Sequence, residues 1–284
     1  MVALALEMRL PSWYAVPTAE ARREPGESEM MWTGTTPRMP SMKNCSKKAT
    51  AMTLWDDINP YGYTRAPAKM QEVRMISDDL CDSNRVGGIP ILLFEQSFFK
   101  PLTALAGPHD TIPIPAIAQQ VERVDYECEL VVVIGKAAKN VPESSALDHV
   151  LGYAVGNNVS HREWQLKRGG SQWNLGKGFD GWAPFGPGIV SRRIVKDPQA
   201  LRIYTKVNGE IVQESSTRDM VFAVARSVAF LSQGTTLLPG DLIFTGTPEG
   251  IGGGRTPPLW LKDGDVVEVG LEGVGACVNK VEFV

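Results

Sequence analysis

Asp125-Tyr126-Glu127-Cys128-Glu129-Leu130, running directly into Val131-Val132-Val133-Ile134-Gly135, is the stretch on which the reading of this chain turns. A short apolar run closed by glycine predicts a buried β-strand. Side chains alternate across a strand, so Glu127 and Glu129 share one face and Cys128 points to the other. Two carboxylates on one face of a buried strand repel each other and need compensation, by a divalent cation, a basic cluster or a shared proton. Hard cations such as Mg²⁺ and Ca²⁺ prefer carboxylate oxygen. The plainer alternative is a solvated edge strand with two exposed glutamates, which a Glu-x-Glu pattern alone does not exclude.

Composition narrows the setting. With 284 residues, 43% of them hydrophobic, the chain is long enough to bury a sizeable core in one large domain or two smaller ones. A net charge of -3 with no basic run argues against nucleic acid and against a membrane surface as partner. No apolar stretch approaches the roughly 20 residues of a membrane span. Met1 to Leu10 has an apolar piece without a basic segment before it, so no secretory signal is expected. Cys45, Cys81, Cys128 and Cys277 lie far apart, with neither metal-ligand spacing nor disulfide density. A reducing, cytoplasmic compartment is the expectation, with Cys128 packing as a small hydrophobe.

Residues 1–85 are expected to form an extension, partly irregular or disordered, because Pro, Gly, Ser, Lys and Met mix there without a period of 2 or 3.6. The ordered domain is expected over 86–284. It opens with an apolar segment from Ile89 to Phe94, and Ile112-Pro113-Ile114-Pro115 follows as an edge strand or polyproline-like connector. Pro142 to Leu151 has helical spacing, and His109 and His149 read as solvated or structural. Leu201 to Val207 and the segment after Asn208-Gly209 predict a hairpin, and Met220 to Ser232 an amphipathic helix ended at Gly234. Another hairpin pair, from Leu261 to Gly275, is expected to close the sheet.

A second dense cluster runs from Gly152 to Gln165. Asn158, Arg162 and Gln165 fall at intervals of four and three, which predicts one face of a helix beginning near Asn158. Polar groups gathered on one face form either a satisfied structural network or a site. Lys177 stands in a loop rich in glycine and aromatics, where it is either an exposed charge or a lysine in apolar surroundings suited to acid, base or clamp duty. Thr245-Gly246-Thr247-Pro248-Glu249-Gly250 offers backbone N–H groups and hydroxyls to a carboxylate, and it lacks the lysine of a phosphate loop.

From about Phe99 onward the chain resembles the fumarylacetoacetate hydrolase family, in particular its smaller members of the acylpyruvase and oxaloacetate decarboxylase type. The resemblance rests on Lys100-Pro-Leu-Thr-Ala-Leu, Asp125-Tyr-Glu-Cys-Glu-Leu, Asn158-Val-Ser-His-Arg162-Glu-Trp-Gln165, Leu175-Gly-Lys177-Gly-Phe-Asp180, Val207-Asn-Gly-Glu210 and Thr245-Gly-Thr-Pro-Glu-Gly250, all in order. It implies a mainly β fold with some α, a mixed β-sandwich roll, and a homodimer binding Mg²⁺, with Mn²⁺ and Ca²⁺ as alternatives. It further implies Glu127, Glu129 and Asn158 as metal ligands, and Lys177, Arg162 and Gln165 as catalytic groups. Thr247, Tyr153 and Gly246 would bind the substrate, a small keto acid or diketone.

Two departures from the family pattern bear on the reaction. Asn158 stands where the family has an aspartate ligand, which removes one negative charge from the site. The family's Asn-Tyr-x-x-His segment ahead of the Lys-Pro motif, whose histidine activates water, is not found: His109, His149 and His161 all follow Lys100. Decarboxylation and tautomerisation need mainly an electron sink and tolerate that loss better than hydrolysis does. The expected function is therefore a metal-dependent enzyme performing C–C cleavage, decarboxylation or keto–enol isomerisation. The alternatives are a recruited biosynthetic isomerase or cyclase, or a non-catalytic dimeric member.

Overall fold

The computed structural model describes residues 73–77 and 96–284. The apolar segment Ile89 to Phe94, Cys45, Cys81 and most of the 1–85 extension lie outside the described residues. Val73–Ser77 is the exception. Although it falls within the expected extension, it forms strand β1 and pairs parallel with Leu242–Phe244 and antiparallel with Gln96–Lys100. Five residues in an irregular context carry no local signal of this kind, because both pairing partners are distant in sequence or follow a long connection.

The fold is mainly β. In chain order the further strands are β2 (Gln96–Lys100), β3 (Leu105–Ala106), β4 (Ile112–Ile114), β5 (Val124–Asp125), β6 (Cys128–Ile134), β7 (Val150–Asn157), β8 (Ser160–His161) and β9 (Ala183–Ser191). They continue as β10 (Arg202–Val207), β11 (Glu210–Ser216), β12 (Leu242–Phe244), β13 (Val266–Leu271) and β14 (Gly275–Phe283). Among the described residues they assemble into a seven-stranded sheet of order β2-β1-β12-β6-β7-β9-β3, a five-stranded sheet of order β11-β10-β13-β14-β4, and the small pair β5-β8. The proline-flanked strand β4 is an edge, as its composition expects.

β6 is central and buried on both faces, which explains why it reads as continuous hydrophobicity. Its alternation divides the core in two. Leu130, Val132 and Ile134 pack with Tyr153, Ile203, Val269 and Cys277 between the two large sheets. Val131 and Val133 face the opposite way, against Phe98, Ala154, Phe185 and Phe244. Each such side chain contributes roughly 1.5–3 kcal/mol relative to exposure. Glu129, in phase with Val131 and Val133, belongs to this second side.

Of three local expectations, one holds and two change length. The Asn208-Gly209 hairpin forms as expected, with φ of 53° and 88° at the two turn residues. The helix expected over Met220 to Ser232 is shorter, Val224–Leu231, because Ala223 is extended and Gln199 Oε1 accepts the Val224 N–H at 2.8 Å. The helical stretch after Pro142 stops at His149, and Val150 and Leu151 join β7.

Candidate active site

Glu127 lies one residue before β6 and is fully buried. Its backbone is clamped by the end of β7: the Asn158 N–H donates to its carbonyl at 2.8 Å, and its own N–H donates to Asn157 Oδ1 at 3.0 Å. Its carboxylate meets two cations. Lys177 Nζ lies 2.7 Å from Oε2, and Arg162 Nη1 lies 2.6 Å from Oε1. Asn158 Nδ2 also donates to Oε2, at 2.7 Å. Burial raises the Glu127 pKa, but the charges of Lys177 and Arg162 outweigh it and hold the carboxyl below its usual range. Glu129, likewise buried, accepts the Gly246 N–H at 2.6 Å. The solvated-edge alternative is therefore excluded: both glutamates point inward.

Lys177 ends the short helix Asn174–Lys177 and is completely buried, not an exposed loop charge. Besides Glu127 it donates to Ser160 Oγ at 2.7 Å, and its ammonium lies 5.0 Å from the centre of the Phe98 ring. Arg162 and Gln165 do share a helical face, since Arg162 Nη1 donates to Gln165 Oε1 at 2.9 Å. Asn158 is not on that helix. Strand β8 intervenes, because Arg162 N donates to Arg123 O, so this backbone pairs with the β5 side. The three residues still converge, through a strand end, a short bridge and a wide π-turn over Trp164–Arg168. Buried His161 anchors that turn: Nε2–H faces the carbonyls of Ala118 and Val121 at 2.9 and 3.0 Å, while Nδ1 accepts the Trp164 N–H.

Thr247 is nearly buried, and its Oγ1 accepts from Gln213 Nε2 at 2.9 Å. A cavity of about 220 Å³ opens beside it, lined in part by Leu130, Ile203, Met220, Gly246 and Thr247. Tyr153 is a correction. It pairs with Val132, four positions along β6 from Cys128, and faces the core between the large sheets, the side of the strand opposite Glu129. Alternation puts it out of phase with the glutamates.

Several participants were not singled out from sequence. Asp125 is buried and accepts from Gly252 N at 2.7 Å, Gly253 N at 2.9 Å, Tyr126 N at 2.9 Å and Arg162 Nε at 2.8 Å. Its signal was present, since 125, 127 and 129 form one alternating series of acids. The glycines at 252 and 253 allow the approach: a Cβ on Gly252 would fall 1.9 Å from Leu259 O and 2.7 Å from Asp125 Oδ1. Lys100, in the quoted Lys-Pro motif, is buried with Nζ donating to Val159 O and Trp182 O. Burial, and next the charge of Lys177, push its pKa well below the usual lysine value.

The oxygen set fits a hard divalent cation. Asn158 Oδ1 is buried without a hydrogen-bond donor, and Glu127 Oε1 has an ion-pair neighbour but no donor in hydrogen-bond geometry. Among the described residues no group of three His, Cys, Asp or Glu side chains is placed to hold a metal ion, so a cation here would need the Asn158 oxygen as well.

Comparison with known proteins agrees with this construction. The sequence profile of the fumarylacetoacetate (FAA) hydrolase C-terminal domain matches residues 67–282. A fumarylacetoacetate hydrolase domain-containing protein 2 of Pongo abelii is 43% identical over 76% of this chain and 67% of its own length. A mitochondrial oxaloacetate tautomerase of Xenopus laevis is 47% identical over 65% of this chain, and the match spans only 57% of that relative's length. Among solved structures, fumarylpyruvate hydrolase from Pseudomonas aeruginosa, in complex with Mn²⁺ and pyruvate, superposes with a TM-score of 0.66 at 31% identity, covering 75% of this chain and 90% of the other. The 5-carboxymethyl-2-hydroxymuconate delta-isomerase from Mycobacterium smegmatis gives 0.64 at 37% identity, covering 75% and 79%. With two inward glutamates, their basic partners and this likeness in sequence and structure together, the chain belongs to the fumarylacetoacetate hydrolase family.

Proposed function

We propose that the chain is a divalent-cation-dependent enzyme acting on small α-keto acids or β-dicarbonyls, with keto–enol tautomerisation of an oxaloacetate-like substrate as its reaction. The observation that carries this reading is the buried oxygen set of Glu127, Glu129 and Asn158, set directly against Lys177 and Arg162. Mg²⁺ is the proposed cation, with Mn²⁺ or Ca²⁺ as alternatives, held by Glu127, Glu129 and Asn158. When bound it supplies Lewis-acid polarisation of a chelating keto oxygen. The Thr247 hydroxyl receives the substrate carboxylate, and Arg162 and Lys177 place positive charge where an enolate oxygen develops, with Gln165 fixing the guanidinium.

Tautomerisation removes one proton from the enol oxygen and adds one to the far carbon of the C=C bond, so it needs no attacking water. That suits a chain in which His161 and His149 are poorly placed as bases. His161 is buried against two carbonyls and one backbone N–H, while His149 Nδ1 lies against the Ala137 carbonyl. The relatives named as oxaloacetate tautomerases support the same choice. Within this proposal the chain acts as a homodimer on small molecules in the cytoplasm. Buried free thiols at Cys128 and Cys277 support a reducing compartment, and among the described residues no helix is long and apolar enough to cross a membrane.

The test is Mn²⁺ and Mg²⁺ titration by calorimetry, followed by the decay of enol-oxaloacetate absorbance. Glu127→Gln should abolish cation uptake and lower kcat/KM by at least about a hundredfold. A variant that keeps both the cation and the turnover refutes the ligand assignment.

A further inference from the structure

Gln213 on β11 is 2% exposed and lies where three parts of the molecule meet. Its Oε1 accepts the Cys128 N–H at 3.2 Å and the Thr205 hydroxyl at 2.7 Å. Its Nε2 donates to Pro248 O and to Thr247 Oγ1, both at 2.9 Å. The orientation of this amide is not free. A backbone N–H only donates and a backbone carbonyl only accepts, so Cys128 fixes the oxygen end and Pro248 the nitrogen end. Thr247 Oγ1 must therefore accept from Gln213, and its own O–H is left to donate. Cys128 lies between Glu127 and Glu129, so the same amide also ties the strand of cation ligands to the Thr247 loop.

We propose that Gln213 is a positioning residue that makes Thr247 an obligate hydrogen-bond donor to the substrate carboxylate, at a distance set from the cation ligands. This rests on the keto-acid reading above. Gln213 sets polarity as well as position, and the site thereby prefers chelating ligands that carry a carboxylate over neutral diketones.

The experiment uses the Mn²⁺-loaded protein and two probes, pyruvate and the neutral β-diketone acetylacetone, with affinities from calorimetry. Gln213→Glu keeps the shape but accepts where the amide donated, so the Thr247 proton turns toward it and is lost to the ligand. Gln213→Met removes the donor without adding charge, which separates polarity from repulsion and serves if the first variant does not fold. Each folded variant should weaken pyruvate about tenfold or more, the loss of a hydrogen bond to a charged group, while acetylacetone and Mn²⁺ stay within about threefold. In a Thr247→Val background, adding Gln213→Met should leave pyruvate affinity unchanged. Equal losses for both probes, an unchanged pyruvate affinity, or additive effects with Thr247→Val each overturn the role. A wild-type protein that takes up Mn²⁺ but not pyruvate overturns the substrate reading and this role with it. Wild-type pyruvate binding that survives Gln213→Met overturns the role of Gln213 alone.

Discussion

Removing the Asp125 carboxylate should separate the structural hub of the site from its chemistry. Asp125 accepts three backbone N–H groups and Arg162 Nε, all between 2.7 and 2.9 Å, and is wholly buried, while the Arg162 side chain is 10% exposed. Four charge-assisted bonds at about 1.5–3 kcal/mol each sum to more than any single substitution costs, because water and local relaxation recover part of them. The closer guide is the removal of one partner from a buried ion pair, about 3–5 kcal/mol. Asp125→Ala should therefore lower Tm by roughly 6–20 °C, taking about 2–4 °C per kcal/mol for a chain of this size. Thermal unfolding followed by circular dichroism reads this directly. A double-mutant cycle with Arg162→Ala isolates the pair and should return a coupling of about 1.5–3 kcal/mol. A single-variant loss under about 1 kcal/mol, or additivity within about 0.5 kcal/mol, would show that Asp125 does not hold Arg162 as described.

Asn158→Asp exchanges a donor 2.7 Å from Glu127 Oε2 for a second carboxylate. The cation-free protein should lose about 1–3 kcal/mol of stability. Its Mg²⁺ affinity should nevertheless rise by at least about tenfold, and calorimetry showing no gain would place this side chain outside the coordination sphere. His161 supplies a pH signature. Burial lowers its pKa below 6.5, so as pH falls through that value the unfolded chain binds the proton first. Stability should be complete above pH 6.5 and decline below it until the folded pKa is passed, and His161→Gln should flatten that limb of a denaturation-against-pH series. An unchanged profile would mean that the buried ring is not neutral in the folded protein.

Much of the strand framework was legible locally. The alternation from Asp125 to Ile134 needs only the two-residue period of a strand to put Glu127 and Glu129 on one side, and Asn208-Gly209 needs only the positive φ its turn demands. The resemblance supplied the oxygen set and its basic partners. Other features depended on long-range pairing. Tyr153 lies in the cluster from Gly152 to Gln165 yet faces the inter-sheet core, because register with Val132 sets its side. Val73–Ser77 is a strand only because β12 and β2 flank it.

What the amino-acid order determined alone is periodicity: which acids share a face, where turns fall, which runs are apolar. Tertiary structure decided which charges meet. Lys177 could have been a solvated loop cation, and it is a buried partner of Glu127 because the Asn174–Lys177 helix packs against the π-turn that carries Gln165. Gln213 acquires its role from Cys128, Thr205 and Thr247, which lie 85, 8 and 34 residues away along the chain. Hydrogen-bond direction depends on all the partners at once, and no local period encodes partners that distant sheets bring together.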